Sequence, residues 1–242
     1  MNDAEIKQIY DKTFTNYNLA KQSLVVKTCE SRFRMDSAIS NVIPGYDSDK
    51  LKFGSYDKDK FAVVFVDIRD STNRAMHLGA EKTFLSMHAF LTAMIAVVEF
   101  HNGYVVDIMG DGLMVLFGGR NAEPKLNEER TIQKAGLCGN DMIIVLEKVV
   151  NVILASDGIP WKIDCGVGVT YGDVIVTKIG TAGTYDVKAF GECINQASKF
   201  SSKSNRNSVR VSKYVRHHWP KGKGGTVSFS GNDQDGYLLT KK

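Results

Sequence analysis

Cysteine is scarce in this chain and shows no pairing pattern. Its 242 residues hold four (Cys29, Cys138, Cys165 and Cys193), widely scattered and without a CxxC pair. That spacing fits reduced, buried thiols in a cytosolic protein better than a disulfide frame or a zinc site. Long apolar runs are missing too. Stretches such as Phe90–Val98 and Met142–Leu146 are too short to span a bilayer. The N-terminal MNDAEIKQIYDK has no apolar core of the signal-peptide kind. A soluble cytoplasmic protein without membrane insertion is the expectation. Strong charge imbalance is also absent. The net charge of +4 is too mild to argue for nucleic acid, although a slight basic bias suits an anionic small-molecule substrate. The five histidines (His77, His88, His101, His217, His218) lack metal-ligand spacing and read as helix-face or surface residues. No repeat or low-complexity segment stands out.

What is present, 43% hydrophobic and 24% charged residues, suits one globular domain with a real core and a terminal extension. Residues 1–60 read as an N-terminal helical extension and loop: Ile6, Ile9, Tyr10, Phe14 and Tyr17 recur at near-helical spacing, and Pro44-Gly45 with the polar run Tyr46–Lys60 reads as loop. Residues 61–242 read as the main domain. Phe61–Val66 is a buried strand. Asp70-Ser71-Thr72 offers N-cap side chains, and a long helix follows from about Glu81 to Phe100. Tyr104–Met109 and Leu113–Phe117 form a hairpin about Gly110-Asp111-Gly112. Gly118–Asn127 is loop, and a second long helix runs from Glu128 to about Ala155. Trp161–Thr170 and Val174–Ile179 read as strands joined by a turn at Tyr171-Gly172-Asp173, with a small-residue loop at Gly180–Thr184. Then come a helix at Cys193–Ser202, a strand at Val209–Val211, a short helix at Lys213–Trp219 and a last pair of strands. Long helices between β-hairpins predict an α+β, ferredoxin-like antiparallel sheet with helices packed on one face.

Two of the strands carry a carboxylate at a tight polar break: Asp67 after Ala62–Val66, and Asp111 after Tyr104–Met109. If those strands are neighbours, both carboxylates reach one edge of the sheet. Two acidic groups held together are costly unless a divalent cation sits between them, which points to a metal site for phosphate chemistry. The bland alternative is that both merely cap turns.

Four motifs then stand in order: FVDIRDST around Asp67, VVDIMGDGLMVLF around Asp111, CGVGVTYGDVIVTKIG at 165–180, and FGECINQASKF at 190–200. Over Phe61 to about Ser202 the chain resembles the class III nucleotidyl cyclase catalytic domain. The resemblance implies a phosphorus–oxygen lyase in which the ribose 3′-oxygen of a nucleoside triphosphate attacks the α-phosphorus and pyrophosphate leaves in line. It implies two divalent ions per site, Mn2+ or Mg2+, on Asp67, Asp111 and the backbone carbonyl of Ile68. The segment Ile68, Arg69, Asp70, Ser71 and Thr72 would hold the triphosphate, though Arg69 and Asp70 stand where many relatives have a small residue and glycine. Asn195 matches the ribose-binding asparagine. Lys199 falls where most members carry the arginine that stabilises phosphate charge, and lysine keeps the charge without the fork. For Arg69, Arg74, Lys178 and Arg206 a solvated face is the expectation, with phosphate contact as the alternative. Phe65 and Tyr104 flank the site, with base stacking and core packing both open. The family's sites lie between subunits, so a homodimer with two equivalent sites is implied, with Lys188 to Lys199 supplied by the second copy.

Base choice follows from two positions. Adenylyl cyclases place lysine four residues before the second metal aspartate, and aspartate three before the glycine of the helix motif. Here those positions are Asp107 and Lys188, with the charges exchanged. A donor toward the exocyclic position and an acceptor toward the ring nitrogen suit a keto oxygen beside a ring N–H, the edge of uracil and guanine. Guanylyl cyclases usually carry glutamate and a small neutral residue at these two places, and the bulk of Lys188 favours the smaller uracil. The compact chain also resembles the bacterial Pycsar pyrimidine cyclases, which make cyclic UMP or cyclic CMP for a separate cyclic-nucleotide-sensing effector in antiphage defence. UTP is the expected substrate. A cytidylate, guanylate or adenylate cyclase of general signalling, and a non-catalytic nucleotide-binding dimer module, are the alternatives.

Overall fold

A computed structural model describes residues 1–25, 42–43, 46–47, 51–119, 126–181, 183–221 and 227–241. In chain order the elements are α1 (Asp3–Val25), β1 (Val42–Ile43), β2 (Tyr46–Asp47), β3 (Tyr56–Ile68), α2 (Ser71–Phe100), β4 (Tyr104–Met109) and β5 (Gly112–Gly118). Next come α3 (Glu128–Val145), a π-helical segment (Leu146–Val150), α4 (Asn151–Ser156), β6 (Cys165–Thr181) and β7 (Thr184–Phe190). The chain closes with α5 (Glu192–Lys203), β8 (Ser208–Val211), α6 (Lys213–His217), β9 (Val227–Asn232) and β10 (Gly236–Lys241). The turn expected at Pro44-Gly45, most of the Gly118–Asn127 loop and Cys29 lie outside the described residues.

The Phe61–Val66 part of β3 is apolar at every position, and such a stretch needs cover on both faces, which it has. Ala62, Val64, Val66 and Ile68 point into a core shared with α1, α2, α3 and α4, whereas Phe61, Val63 and Phe65 point into a second core. β3 pairs antiparallel with β5 on one edge and β6 on the other, and β4 flanks β5, so the order β4-β5-β3-β6 is that of a ferredoxin-like sheet. β8, β10 and β9 extend it to eight strands with β7, and β6 and β8 pair in parallel. The expected α+β class, with the long helices on one face, is what the structure has. The short α5 lies on the opposite face, where Cys193, Ile194 and Ala197 fill the second core.

Several expected boundaries move. β3 starts at Tyr56, so the last part of the presumed loop is strand, with Tyr56–Lys60 paired to Asp173–Thr177 of β6. Tyr171-Gly172-Asp173 is no turn: β6 runs straight through it for 17 residues, with Gly172 opposite Phe61. Glycine serves close approach there, because a Cβ on Gly172 would sit 3.1 Å from the Cβ of Cys193. Trp161–Asp164 is not strand, and the return strand β7 went unread. α2 begins at Ser71 and breaks at Gly79, whose φ of 74° suits glycine. By length and composition α2 passes for a membrane span, contrary to the expectation from short apolar runs. Its Leu85, Ala89, Phe90, Ala93, Met94, Val97 and Val98 are buried in the core instead.

α1 packs on the same core through Ile9, Tyr17 and Ala20, and Tyr17 Oη donates to Asp157 Oδ2 at 2.6 Å. Arg74, expected on a solvated face, is buried; its Nη1 donates to the Lys162 carbonyl at 3.1 Å and its Nη2 to Ser86 Oγ at 3.2 Å. Arg206 pairs with Asp164 at 2.7 Å, and the Lys178 ammonium lies 3.7 Å from the Tyr185 ring centroid.

The seating of α5 depends on Gly168. A Cβ there would lie 2.0 Å from the Ala197 carbonyl oxygen and 2.5 Å from the Ser201 nitrogen, and neither backbone atom can swing aside. Gly168→Ala is therefore expected to lose about 1–3 kcal/mol, the usual scale of overpacking, in urea unfolding. An unchanged midpoint would show that α5 shifts without cost.

Candidate active site

Asp67 is the last residue but one of β3 and stands opposite Gly112 of β5 and Gly166 of β6. Asp111 occupies the β4–β5 turn, after Gly110 at φ 61°. Alternation along β3 puts Asp67 on the face of Phe65, away from the long helices. The carboxylate lies over Gly112: a Cβ added there would meet Asp67 Oδ1 at 3.0 Å and the Val66 carbonyl oxygen at 2.7 Å. Asp67 and Asp111 come within hydrogen-bond reach of one another. Half-burial, and next the negative charge of Asp111, raise the Asp67 carboxyl above its usual range; Arg69 and the Ile68 N–H oppose the shift. This is the strained acidic pair that a divalent cation relieves, and an all-oxygen donor set suits Mg2+ or Mn2+. Among the described residues no group of three or more His, Cys, Asp or Glu side chains could hold a metal. A pair of this kind needs further oxygens from phosphate and water, as magnesium sites on substrate phosphates do.

The segment after Asp67 turns into α2. Asp70 sits at the N-cap position with φ 56° and makes no capping bond, contrary to the expectation; its Oδ2 accepts from Asn73 Nδ2 at 3.1 Å. Ser71 and Thr72 open the helix, where the first amides have no intrahelical partner and favour an anion. Ile68 is buried, and the N–H of Cys165 opposite it donates to Asn207 Oδ1 at 3.0 Å. Arg69 leans the other way. Its Nη1 donates to the Ser202 carbonyl of α5 at 3.0 Å, and its guanidinium fills the space beside Gly166, where a Cβ would lie 1.5 Å from Nη2. Phe65 is 6% exposed and packs in the second core with Val63 and Met114, as a core residue does.

The charged pair thought to read the base also meets. Lys188 Nζ lies 3.3 Å from Asp107 Oδ2 and 2.9 Å from Asp186 Oδ2. β7 and β4 are separated by β6, β3 and β5 in the sheet, so the β6–β7 arm curls back over this face to bring them together. A register shift between Val105 and Asp107 marks a bulge in β4, a device that re-aims a side chain. The expected division, with Asp107 from one copy and Lys188 from another, is corrected by this contact: both belong to one chain. Asp186, which a register shift of two residues would bring to the base in place of Lys188, shares a strand face with it and lies on the same ammonium.

On α5, Cys193, Ile194, Ala197, Phe200 and Ser201 are buried, which leaves Asn195 and Lys199 exposed one turn apart. Neither side chain makes a hydrogen bond or ion pair with another described residue.

Residues 53–237 match a family model described as the adenylate and guanylate cyclase catalytic domain. A uridylate cyclase of Gulbenkiania mobilis is 29% identical over 164 residues, 63% of this chain and 60% of that protein. A cytidylate cyclase of Staphylococcus aureus is 26% identical over 159 residues, 64% of this chain and 36% of that one. The chain thus spans 60% of the first relative's length and about a third of the second's. Among solved structures, the adenylyl cyclase CyaB from P. aeruginosa superposes with a TM-score of 0.66 at 20% identity, covering 78% of this chain and 97% of that one. The guanylyl cyclase Cya2 superposes at 0.61 and 21%, covering 76% and 90%. At those identities the likeness shows the fold.

Proposed function

The chain belongs to the family of adenylate and guanylate cyclase catalytic domains, and on that premise we propose that it converts UTP to 3′,5′-cyclic UMP and pyrophosphate. The 3′-oxygen forms a bond to the α-phosphorus, the bond from that phosphorus to the bridging β-phosphate oxygen breaks, and the hydroxyl proton leaves to solvent. Two Mn2+ or Mg2+ ions, when bound by Asp67, Asp111 and the Ile68 carbonyl, supply charge stabilisation at the attacking and leaving oxygens. The expected cradle of amides from Ile68 to Thr72 narrows, because the Arg69 N–H donates to the Asp164 carbonyl at 2.8 Å and the Ile68 N–H faces the Asp67 carboxylate; the amides at the start of α2, Ser71 and Thr72, are the ones left to hold the triphosphate. Arg69 acts from behind, holding β3 against α5. Asn195 binds the ribose and Lys199 meets the developing phosphate charge, each toward the metal half of a second copy in a homodimer.

The observation that carries the base assignment is the meeting of Lys188 with Asp107 at 3.3 Å. The ammonium donates to the uracil O4, and the carboxylate accepts from the N3–H. Cytosine and adenine present the opposite order and leave both groups unpaired. The names of the two relatives, a uridylate cyclase and a cytidylate cyclase, agree with a pyrimidine. We propose further that the product signals to a separate cyclic-nucleotide-sensing effector in a bacterial antiphage system.

Incubation with Mn2+ and each of the four triphosphates is expected to give cyclic UMP as main product. Cyclic AMP as main product would refute the base assignment, and nucleotide binding without pyrophosphate release would make the protein a non-catalytic module.

A further inference from the structure

The Lys188 ammonium has two carboxylate neighbours, and the nearer is Asp186, at 2.9 Å against 3.3 Å for Asp107. Asp186 is itself held: its Oδ1 accepts the backbone N–H of Val187 at 2.8 Å, while Oδ2 faces the ammonium. β7 fixes this arrangement, because Val187 and Ala189 point into the second core and send Asp186 and Lys188 to the other side together. A flexible lysine thereby acquires a defined end point. We propose that Asp186 is a positioning residue for base selection, anchoring the Lys188 ammonium so that Asp107 keeps acceptor capacity for a ring N–H. This rests on Asp107 and Lys188 reading the base.

The electrostatics make the third group necessary for that task. With Asp107 alone, Lys188 and its partner would neutralise each other, and a substrate would have to break their ion pair to use either. With Asp186 present the trio carries a net negative charge. Two of the three ammonium donors are engaged and one is available to a keto oxygen, while Asp107, the farther carboxylate, has lone pairs in excess. Stability is a poor explanation for the trio. The side chains are 33–40% exposed, and ion pairs that open to water contribute little to folding. A preorganised donor matters more for discrimination, because specificity comes from groups left unpaired by the wrong base.

The test is nucleotide binding, by calorimetry with Mn2+ and the non-cyclisable α,β-methylene triphosphates of all four bases, on the full chain. Asp186→Asn keeps an oxygen for the Val187 N–H and removes the charge; Asp186→Ala removes both. The ratio of affinities between the preferred base and the next is expected to fall about tenfold in Asp186→Asn, with inorganic tripolyphosphate bound as in the parent. An unchanged ratio in a parent that discriminates overturns the role of Asp186 alone. Equal losses for all four nucleotides and for tripolyphosphate also overturn it, as the mark of a structural role. A parent that binds the four bases equally refutes instead the assignment of Asp107 and Lys188. Because binding is read, absence of turnover bears only on the cyclase reading.

Discussion

Asp67→Asn is expected to lower turnover by about 10^3-fold or more while leaving the metal-free fold at least as stable as the parent. The two halves of that result have one cause. Asp67 lies half-buried against Asp111, and its carboxyl is raised above the usual range, first by burial and then by its neighbour's charge. A folded-state pKa above the unfolded value means that the native state holds the proton longer. Metal-free stability therefore falls as pH rises from the unfolded carboxylate value through the raised folded one, and the cost persists at neutral pH. Asparagine keeps the shape and removes the repulsion, so guanidinium unfolding in chelator should show no loss and a flatter profile on the acid side. The catalytic loss follows because charge stabilisation at transferring phosphate is worth several kcal/mol, and each 1.36 kcal/mol is tenfold in rate. Mn2+ should raise the melting temperature of the parent, since it binds the folded state, and should do so weakly in the variant. Full activity with intact metal stabilisation in Asp67→Asn would remove Asp67 from the metal site. Loss of activity together with unfolding would make it a structural residue.

How much of this was legible in the chain depends on how local each feature is. Phe61–Val66 reads as a strand because every position is apolar, and the pairing of Asp67 with the Asp111 turn follows once two adjacent strands each end in a carboxylate. Tyr56–Lys60 reads as loop because its alternating charges carry no burial signal; it is strand only because the far half of β6 lies beside it. Tyr171-Gly172-Asp173 has the composition of a turn, yet the glycine is there for the approach of Cys193 from α5, a contact 21 residues away in sequence and unreadable locally. The least legible feature is the trio at Lys188. Motif spacing named Asp107 and Lys188 but assigned them to different copies. Only the curl of the β6–β7 arm and the bulge in β4 show them touching, with Asp186 on the same ammonium. The roles of Asn195 and Lys199 rest on motif position and on their exposure on α5, and their assignment to ribose and phosphate stays part of the proposal.

That trio gives the second large effect. Exchanging the pair, Asp107→Lys with Lys188→Asp, is expected to move the ratio of kcat/KM for ATP over UTP upward by about 10^2-fold or more. The lysine would then offer its proton to the bare ring nitrogen of adenine, and the aspartate would accept from the amino group. The single changes should each fail for a different electrostatic reason. Lys188→Asp places a third carboxylate beside Asp107 and Asp186 with no cation among them, so every triphosphate, itself an anion, should bind worse. Asp107→Lys sets two ammonium groups against Asp186 and leaves no acceptor for a uracil N–H, so UTP should suffer most. Recovery in the double variant beyond the sum of the two losses is the coupling energy that a double-mutant cycle isolates. The purine is larger than the uracil the site is proposed to hold, which works against a complete switch; cyclic AMP is therefore expected to appear with a raised KM before kcat approaches that of the parent on UTP. A double variant that still prefers UTP by the parental ratio would mean that the ion pair between β4 and β7 serves only to fasten the arm, and that the base is read elsewhere.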